Sequence, residues 1–261
     1  MNNNKIEAKI LLLDIETAPA LVYTWGLFDQ NVGINQIVKD GYILMWAAKW
    51  LGKAEIMCDS VNIHGAPDTY DNKSEAAIAK VIWQLMDEAD IVVAHNGDDF
   101  DLKWLNATFL KHHLPPVSSY KTVDTLKALR TSHRFLSNKL EFQGIKHQLG
   151  QKLNTGGFEL WRDCMAGNPT AWVKMIKYCK HDVRLLERLY LKLRPFIKSH
   201  PNLGVYSNKG VQMCPNCGSQ RLRSKGYDYT IKNAYRRLIC FDCGKTCRDS
   251  RKLPITTVSG I

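Results

Sequence analysis

Apolar residues dominate positions 6–15, 42–51 and 91–94, interrupted by Glu7, Lys9 and Asp14 in the first and by Lys49 in the second, with polar or turn-forming groups at the ends. Short apolar runs bounded in this way predict buried strands. Residues 54–61 predict a further strand, and Gly52-Lys53 before it marks a hairpin. The period then changes. Over residues 74–89, Ala77, Ile78, Val81, Ile82, Leu85 and Met86 fall on one helical face, with Ser74 as the expected N-cap. A second helix is predicted over 101–113, ended by Pro115-Pro116. Residues 122–126 predict a fifth strand, 138–149 a helix closing at Gly150, and about 170–193 a long helix stopped at Pro195. This order suits an α/β fold, a mixed five-stranded sheet flanked by helices. Residues 199–210 hold one Pro, two Gly and several polar groups, and read as a linker. Domains are therefore expected at 1–198 and 211–261.

A length of 261 residues accommodates one full α/β domain and a small module. No internal repeat or low-complexity segment interrupts it. The apolar run at 10–13 stops at Asp14, too short for a signal-peptide core. The best candidate for a membrane span, 42–48, ends at Lys49. A soluble, cytoplasmic protein with no membrane partner is expected. The formal charge is +11, and from residue 205 onward eleven Lys and Arg face three Asp. The basic character thus lies mainly in the tail, which suggests a polyanionic partner.

Four acidic positions fall where strands end or helices begin. Asp14 and Glu16, in Leu-Leu-Leu-Asp-Ile-Glu-Thr, share one face of a strand because side chains alternate. Asp101 closes Asn96-Gly-Asp-Asp-Phe-Asp101 after the strand at 91–94. Tyr178 and Asp182 stand four apart on the long helix, on the same face. Clustered carboxylates repel one another unless cations hold them, and hard oxygen ligands suit Mg²⁺ or Mn²⁺. Two such ions about 4 Å apart activate a water and stabilise a leaving 3′ oxygen of a phosphodiester. The tyrosine hydroxyl is placed to orient that water.

Each signal alone is common; their order and placement are not. Together they resemble the DEDD exonucleases, a ribonuclease H-like family that includes the proofreading domains of DNA polymerases. The first family motif, Asp-X-Glu, is matched by Asp14 and Glu16. The second, Asn-X₃-Phe/Tyr-Asp, is matched by Asn96, Phe100 and Asp101. The third, Tyr-X₃-Asp, is matched by Tyr178 and Asp182, which selects the tyrosine branch. The histidine branch needs His five residues before the Asp, and Lys177 stands there. The segment Asp124-Thr-Leu-Lys also resembles a family stretch, and the likeness covers roughly residues 6–195. It implies that Asp14, Glu16 and Asp182 hold a first metal, with Asp14 bridging to a second on which Asp101 acts, partly through water. It also implies that Thr17 and the nearby backbone contact the terminal nucleotide; Asn96 and Phe100 are further substrate-binding candidates. Asp98 and Asp99 are acidic too, but the motif register selects Asp101. His181 faces elsewhere on the helix and is assigned no role.

Eight cysteines divide into two groups. Cys58, Cys164 and Cys179 are scattered through apolar segments and read as small buried residues. Cys214-Pro-Asn-Cys217-Gly218 and Cys240-Phe-Asp-Cys243-Gly244 form two Cys-X₂-Cys knuckles 22 residues apart. Four thiolates so spaced predict one closed, structural Zn²⁺ site rather than two disulfides. Cys247 is a spare, or a less well-spaced substitute for Cys243. Between the knuckles, Arg221, Arg223, Lys225, Arg236 and Arg237 interleave with Tyr227, Tyr229 and Tyr235. This resembles the zinc ribbons of transposases and transcription factors, which bind nucleic acid or protein. A grip on phosphates without reading of sequence is expected.

The resulting expectation is a stand-alone 3′→5′ exonuclease acting on DNA with a free 3′ end, similar to those carried by bacteriophages and bacteria. If phage-encoded, it works in the cytoplasm of the bacterial host. The rivals are an RNA-processing exonuclease, a structure-specific endonuclease, or a non-catalytic nucleic-acid-binding module.

Overall fold

A computed structural model of the protein describes residues 8–64, 72–207 and 210–254, and every element below lies within them. Positions 6–7 of the first expected strand, 208–209 of the expected linker and 255–261 of the tail fall outside the described residues. The chain divides into two compact units, one of Lys9–Tyr190 and one of Met1–Ala8 with Leu191–Ile261.

The first unit is built on a mixed sheet. Its strands are β1 (Ile10–Ala18), β4 (Tyr42–Trp50), β5 (Met57–Ser60), β6 (Ile91–Ala94) and β7 (Lys121–Asp124). A small separate ribbon pairs β2 (Leu21–Val22) with β3 (Ile37–Lys39). The main sheet runs β5-β4-β1-β6-β7. β4 is antiparallel to β1 and β5, whereas β1, β6 and β7 are parallel. β1 is therefore central. Leu11, Leu12, Leu13, Leu44 and Ala47 are fully buried, because helices cover both faces and leave no polar side for alternation to mark.

The helices are α1 (Asn72–Asp87), α2 (Asp101–Lys111), α3 (Thr125–Ser132), α4 (Leu140–Lys146), α5 (Glu159–Met165) and α6 (Pro169–Leu193). Alternation along β4 assigns α1 and α6 to opposite faces. The Trp46 indole donates to the Ile78 carbonyl on α1 at 3.0 Å, while Lys49 forms a buried ion pair with Glu187 on α6. Leu185, Leu186 and Leu189 on α6 are buried, each contributing roughly 1.5–3 kcal/mol by leaving water.

The structure corrects the sequence-based elements at several points. Ser74 is not the N-cap of α1, which begins at Asn72; it is buried in the first turn. The strand expected at 122–126 stops at Asp124, whose carboxylate accepts from the Leu126 and Lys127 amides and caps α3. The helix expected at 138–149 shortens to α4, because Gln148 and Gly150 take positive φ, 56° and 129°. α3, α5 and the β2–β3 ribbon were not anticipated; each is too short to show a period.

The second unit holds β8 (Leu222–Tyr229), β9 (Ala234–Cys240) and β10 (Thr246–Lys252), an antiparallel sheet in the order β10-β9-β8. Residues 203–206 form a 3₁₀ turn, and the Leu203 amide donates to the Pro215 carbonyl at 2.7 Å. Part of the expected linker is thus tied to the cysteine module. Lys245 and Asn216 add side-chain bonds to the carbonyls of Ile197 and Arg194.

Candidate functional site

β1 brings Asp14 and Glu16 to one face of the sheet, opposite Ala47 and Met45 of β4. The register slips between Glu16 and Thr17, so Thr17 pairs with Ile43. This bulge re-aims the strand end just past the carboxylates. Asp14 and Glu16 are half-buried, and their carboxylate oxygens lie with Cys179 Sγ within 4.8 Å of one another. The Cys179 thiol, pushed well up by burial and then by Asp14 and Glu16, donates to Asp14 Oδ2 at 3.6 Å.

Asp101 arrives from β6 through a tight turn. Asn96 adopts φ 69°, and the amides of Asp99 and Phe100 donate back to its carbonyl. A Cβ on Gly97 would stand 2.3 Å from the Ala94 methyl, so only glycine permits this turn. Asp124 braces it by accepting from the amides of Asn96 at 3.0 Å and Asp98 at 3.4 Å. Asp101, 4% exposed, then accepts from the Ile15 amide at 3.1 Å, which locks the start of α2 onto β1. Asp98 and Asp99 turn away to pair with Lys127, at 3.1 and 3.5 Å. Phe100 is 39% exposed. Asn96 and Thr17 are half-buried.

α6 supplies Tyr178 and Asp182, both buried. A residue that sequence reasoning missed joins them. Lys152 Nζ lies 2.9 Å from the Tyr178 hydroxyl and 2.5 Å from Asp182 Oδ2. It sits in the loop between α4 and α5, which α6 straps down. His181 donates to the Gln151 carbonyl at 2.8 Å, Arg188 to Leu149 at 2.7 Å, and Lys174 to Thr155 at 2.8 Å. His181, given no role from sequence, therefore anchors the residue next to Lys152. Trp161 on α5 was also missed; it bonds Glu16 and meets the Tyr178 ring edge-on at 6.1 Å. A lone lysine in an aperiodic loop carries no sequence signal.

The cluster is electrostatically frustrated without a cation. Burial, then Glu16 and the other acids, holds Asp14 well above the ordinary carboxylate range. Burial and the Asp182 charge raise Glu16 to about 8, and burial raises Asp101 to about 7. Burial alone would lower Lys152, but Asp182 and Tyr178 outweigh it, and it stays charged above its ordinary value. The Tyr178 hydroxyl is held up by burial and then by Asp182, and so remains protonated. Asp182 Oδ1 is buried and has no hydrogen-bond partner. An orphaned carboxylate oxygen beside three further acids fits a hard divalent cation.

A pH dependence follows. Above pH 6.5 the native carboxyls keep protons that the unfolded chain has released, so stability falls as pH rises toward 8. Metal-free protein should show a falling melting temperature between pH 6.5 and 8, and Mn²⁺ should flatten it. The slope difference from Asp14→Asn isolates the cluster, since other titrating groups such as Cys240 are common to both proteins. Parallel slopes in the two proteins would show that the acids are not coupled.

Beside the carboxylates lies a cavity of about 630 Å³, lined in part by Asn96, Arg130, Phe135, Lys139 and Lys152. Arg130, Lys139 and Lys152 outnumber Glu141 on its walls, a positive balance that suits an anionic occupant.

In the second unit, Cys214, Cys217, Cys240 and Cys243 converge, with sulfurs within 4.8 Å of one another. Each knuckle closes on its glycine. The Gly218 amide donates to the Cys214 carbonyl and the Gly244 amide to that of Cys240, with φ of 71° and 75°. All four are free thiols, and burial raises Cys214 to about 11. The donor set can hold a metal ion, and its sulfur chemistry fits Zn²⁺. Cys247 lies on β10 outside this set. The basic residues between the knuckles do not form a uniform face. Arg221 pairs with Asp242 at 2.6 Å, Arg237 lies 3.9 Å from Asp228, and Arg223 rests over the Phe241 ring. Lys225, Arg236, Tyr227 and Tyr229 are exposed.

No helix among the described residues is long and apolar enough to cross a membrane. No curated protein matches the chain at a significant level. Among solved structures, it is similar to the family B DNA polymerase from the hyperthermophilic archaeon Pyrobaculum calidifontis, at 17% identity and a TM-score of 0.48. That similarity covers 72% of this chain and 25% of the polymerase, so the chain spans about a quarter of that protein's length. A family model described as RNase_H superfamily matches residues 62–194, just over half of the chain, from the end of β5 through α6. The match takes in Asp101, Tyr178 and Asp182, and it supports a nuclease-type function. With its mixed five-stranded sheet and flanking helices, the chain belongs to the RNase_H superfamily.

Proposed function

We propose that the protein is a metal-dependent 3′→5′ exonuclease of the DEDD type, tyrosine branch, acting on DNA with a free 3′ end. The observation that carries this reading is the set of half-buried Asp14 and Glu16 and buried Asp101 and Asp182, which act on one another electrostatically, with the Asp182 Oδ1 oxygen left unpartnered. Two Mg²⁺ or Mn²⁺ ions held by these carboxylates would activate a water and stabilise the leaving 3′ oxygen. The residues around them supply positioning. Lys152 donates to the Tyr178 hydroxyl and fixes it; that hydroxyl orients the attacking water. Lys152 also offsets part of the negative charge on Asp182. Thr17, Asn96 and Phe100 border the cluster and contact the terminal nucleotides, while Arg130 and Lys139 hold phosphates in the adjoining cavity.

In this reading residues 1–198 are the catalytic domain, 199–210 a linker and 211–261 a zinc ribbon that grips substrate. Arg221, Arg223, Lys225, Arg236 and Arg237 are its phosphate contacts, and the ribbon can instead dock a protein partner. The setting is cytoplasmic, in a bacterial host if the gene is carried by a phage.

A time course on strands labelled at either end, with Mn²⁺, tests the function. A 5′ label should give a ladder shortening from the 3′ end, a 3′ label should be released as a mononucleotide, and closed circles should resist. Cut circles would make it an endonuclease, and a preference for RNA strands would make it an RNA-processing enzyme.

Tyr178→Phe removes only a hydroxyl. Turnover should fall roughly 10²-fold, the low end for a positioned acid–base group, with strand affinity unchanged. Lys152→Met should have at least a comparable effect. Lys152 also pairs with Asp182, so its loss can be the larger; because both residues reach the attacking water through the Tyr178 hydroxyl, the double variant should be little slower than Lys152→Met alone. Multiplicative losses would separate the two roles.

A further inference from the structure

The chain leaves the carboxylate strand and immediately builds something the core does not need. Within the β2–β3 ribbon and its connecting segment, Tyr23, Trp25, Leu27, Phe28 and Ile34 are 72, 99, 92, 83 and 90% exposed. Single exposed apolar residues need no explanation, but a cluster on one short segment marks a contact surface. Polar bonds hold this segment in shape. The Tyr23 amide donates to the Gln36 carbonyl at 2.9 Å, and the Gln36 side chain donates back to the Tyr23 carbonyl at 2.8 Å. Gln36 also accepts from the Gly33 amide at 2.8 Å, and Thr24 donates to the Gly26 carbonyl at 3.0 Å. These bonds use several of the segment's backbone groups, and its rings stand exposed.

We propose that this ribbon is a stacking site for the unpaired bases of a single nucleic-acid strand whose end lies at the carboxylates. The proposal rests on the nuclease reading and deepens it. Continuity with the site is the first argument. Trp104 on α2 packs at the foot of the ribbon: a Cβ on Gly41 would stand 2.8 Å from its ring and 3.0 Å from the Ala18 carbonyl. Trp104 lies 6.4 Å from Phe100, the half-exposed neighbour of Asp101. Aromatic side chains therefore connect Asp101, through Phe100 and Trp104, to the foot of the ribbon at Gly41.

Chemistry supplies the second argument. The ribbon, residues 21–39, contains only two charges, Asp29 and Lys39, which cancel, and Asn31 and Asn35 add side-chain amides to the segment that carries the rings. With no net charge, such a surface offers little grip on phosphates; Arg130, Lys139 and Lys152, against Glu141, line the cavity beside the carboxylates instead. It offers ring faces for stacking and amides for base edges, which is the pattern of sequence-tolerant single-strand binding. Paired bases inside a duplex present no free ring face, so the occupant is unpaired.

The test is binding of a labelled 12-nucleotide single strand and of a blunt duplex of the same sequence, at several salt concentrations. Full-length Asp14→Asn protein serves as the non-hydrolysing parent. Adding Trp25→Ala should weaken single-strand binding about 5- to 100-fold, the range for losing one stacked base. The salt slope should be unchanged, because no phosphate contact is removed. Duplex affinity should move little, Trp25→Phe should recover most of the loss, and the melting temperature should hold because Trp25 is 99% exposed. Unchanged single-strand affinity, equal losses on strand and duplex, or a dimer that Trp25→Ala turns into monomer without loss of strand affinity would each overturn the ribbon site. Failure of the exonuclease reading looks different: wild-type protein would then neither bind nor shorten the strand.

Discussion

Asp14→Asn should reduce hydrolysis at least roughly 10³-fold while making the metal-free protein more stable. The rate loss follows if Asp14 is a metal ligand, as proposed; Glu16, Asp101 and Asp182 each act on it electrostatically. A metal ligand in such a site supplies several kcal/mol of transition-state stabilisation, and each 1.36 kcal/mol is tenfold in rate. The stability gain has the same origin. Native Asp14 is held far from its ordinary protonation by burial and by like charges, and an amide of the same shape relieves that repulsion. A gain of roughly 2–4 °C in melting temperature for each kcal/mol relieved is expected. The Cys179 thiol can still donate to the amide oxygen, so the packing beneath β1 is retained. Turnover on an end-labelled strand and a thermal melt in chelator measure both effects. Near-normal hydrolysis would remove Asp14 from the metal site, and a large drop in stability would show that it is a structural residue.

Cys214→Ser should unfold the cysteine module and leave the sheet of the first unit intact. The module has little core: among its described residues Cys214, Leu238 and Cys240 are the buried apolar groups. Three side chains cannot offset the ordering of some forty residues, at about 1–2 kcal/mol of backbone entropy each. A bound Zn²⁺ would make up much of the difference, with apparent binding energies on the order of 10 kcal/mol or more in comparable modules. One zinc per chain should therefore be found by elemental analysis, and should be lost in Cys214→Ser. Amide exchange should then accelerate across β8, β9 and β10, while β1, β4 and β6 stay protected. If the module grips substrate, the variant should also bind strands more weakly and with a flatter salt dependence, since eight of the eleven net charges lie from residue 205 onward. Turnover at saturating substrate should survive. Unchanged affinity and salt slope would point instead to a protein partner for the ribbon.

The apolar pattern was enough to place the long elements. Continuous runs at β1 and β4 and the 3.6-residue period of α1 and α6 survive translation into three dimensions, because burial on a sheet or a helix face acts locally on sequence. The same holds for the pairing of Asp14 with Glu16, which strand alternation dictates, and for the two knuckles, where Gly218 and Gly244 take the positive φ that each turn requires. Short elements escaped. α3 depends on Asp124 capping it, and Asp124 also braces the Asn96 turn 28 residues earlier, a contact that no local pattern records.

What only the tertiary structure decided is the company the carboxylates keep. Lys152 lies 30 residues from Asp182 in an aperiodic loop, and it reaches Tyr178 and Asp182 because His181, Lys174 and Arg188 tie that loop to α6. Trp161, on a two-turn helix, likewise reaches Glu16 from far along the chain. Sequence determined which acids lie on which elements, since hydrophobic periodicity is a property of neighbours along the chain. It could not determine the charge balance around them, because electrostatics depends on distances in space and on burial, and both are set when distant segments pack.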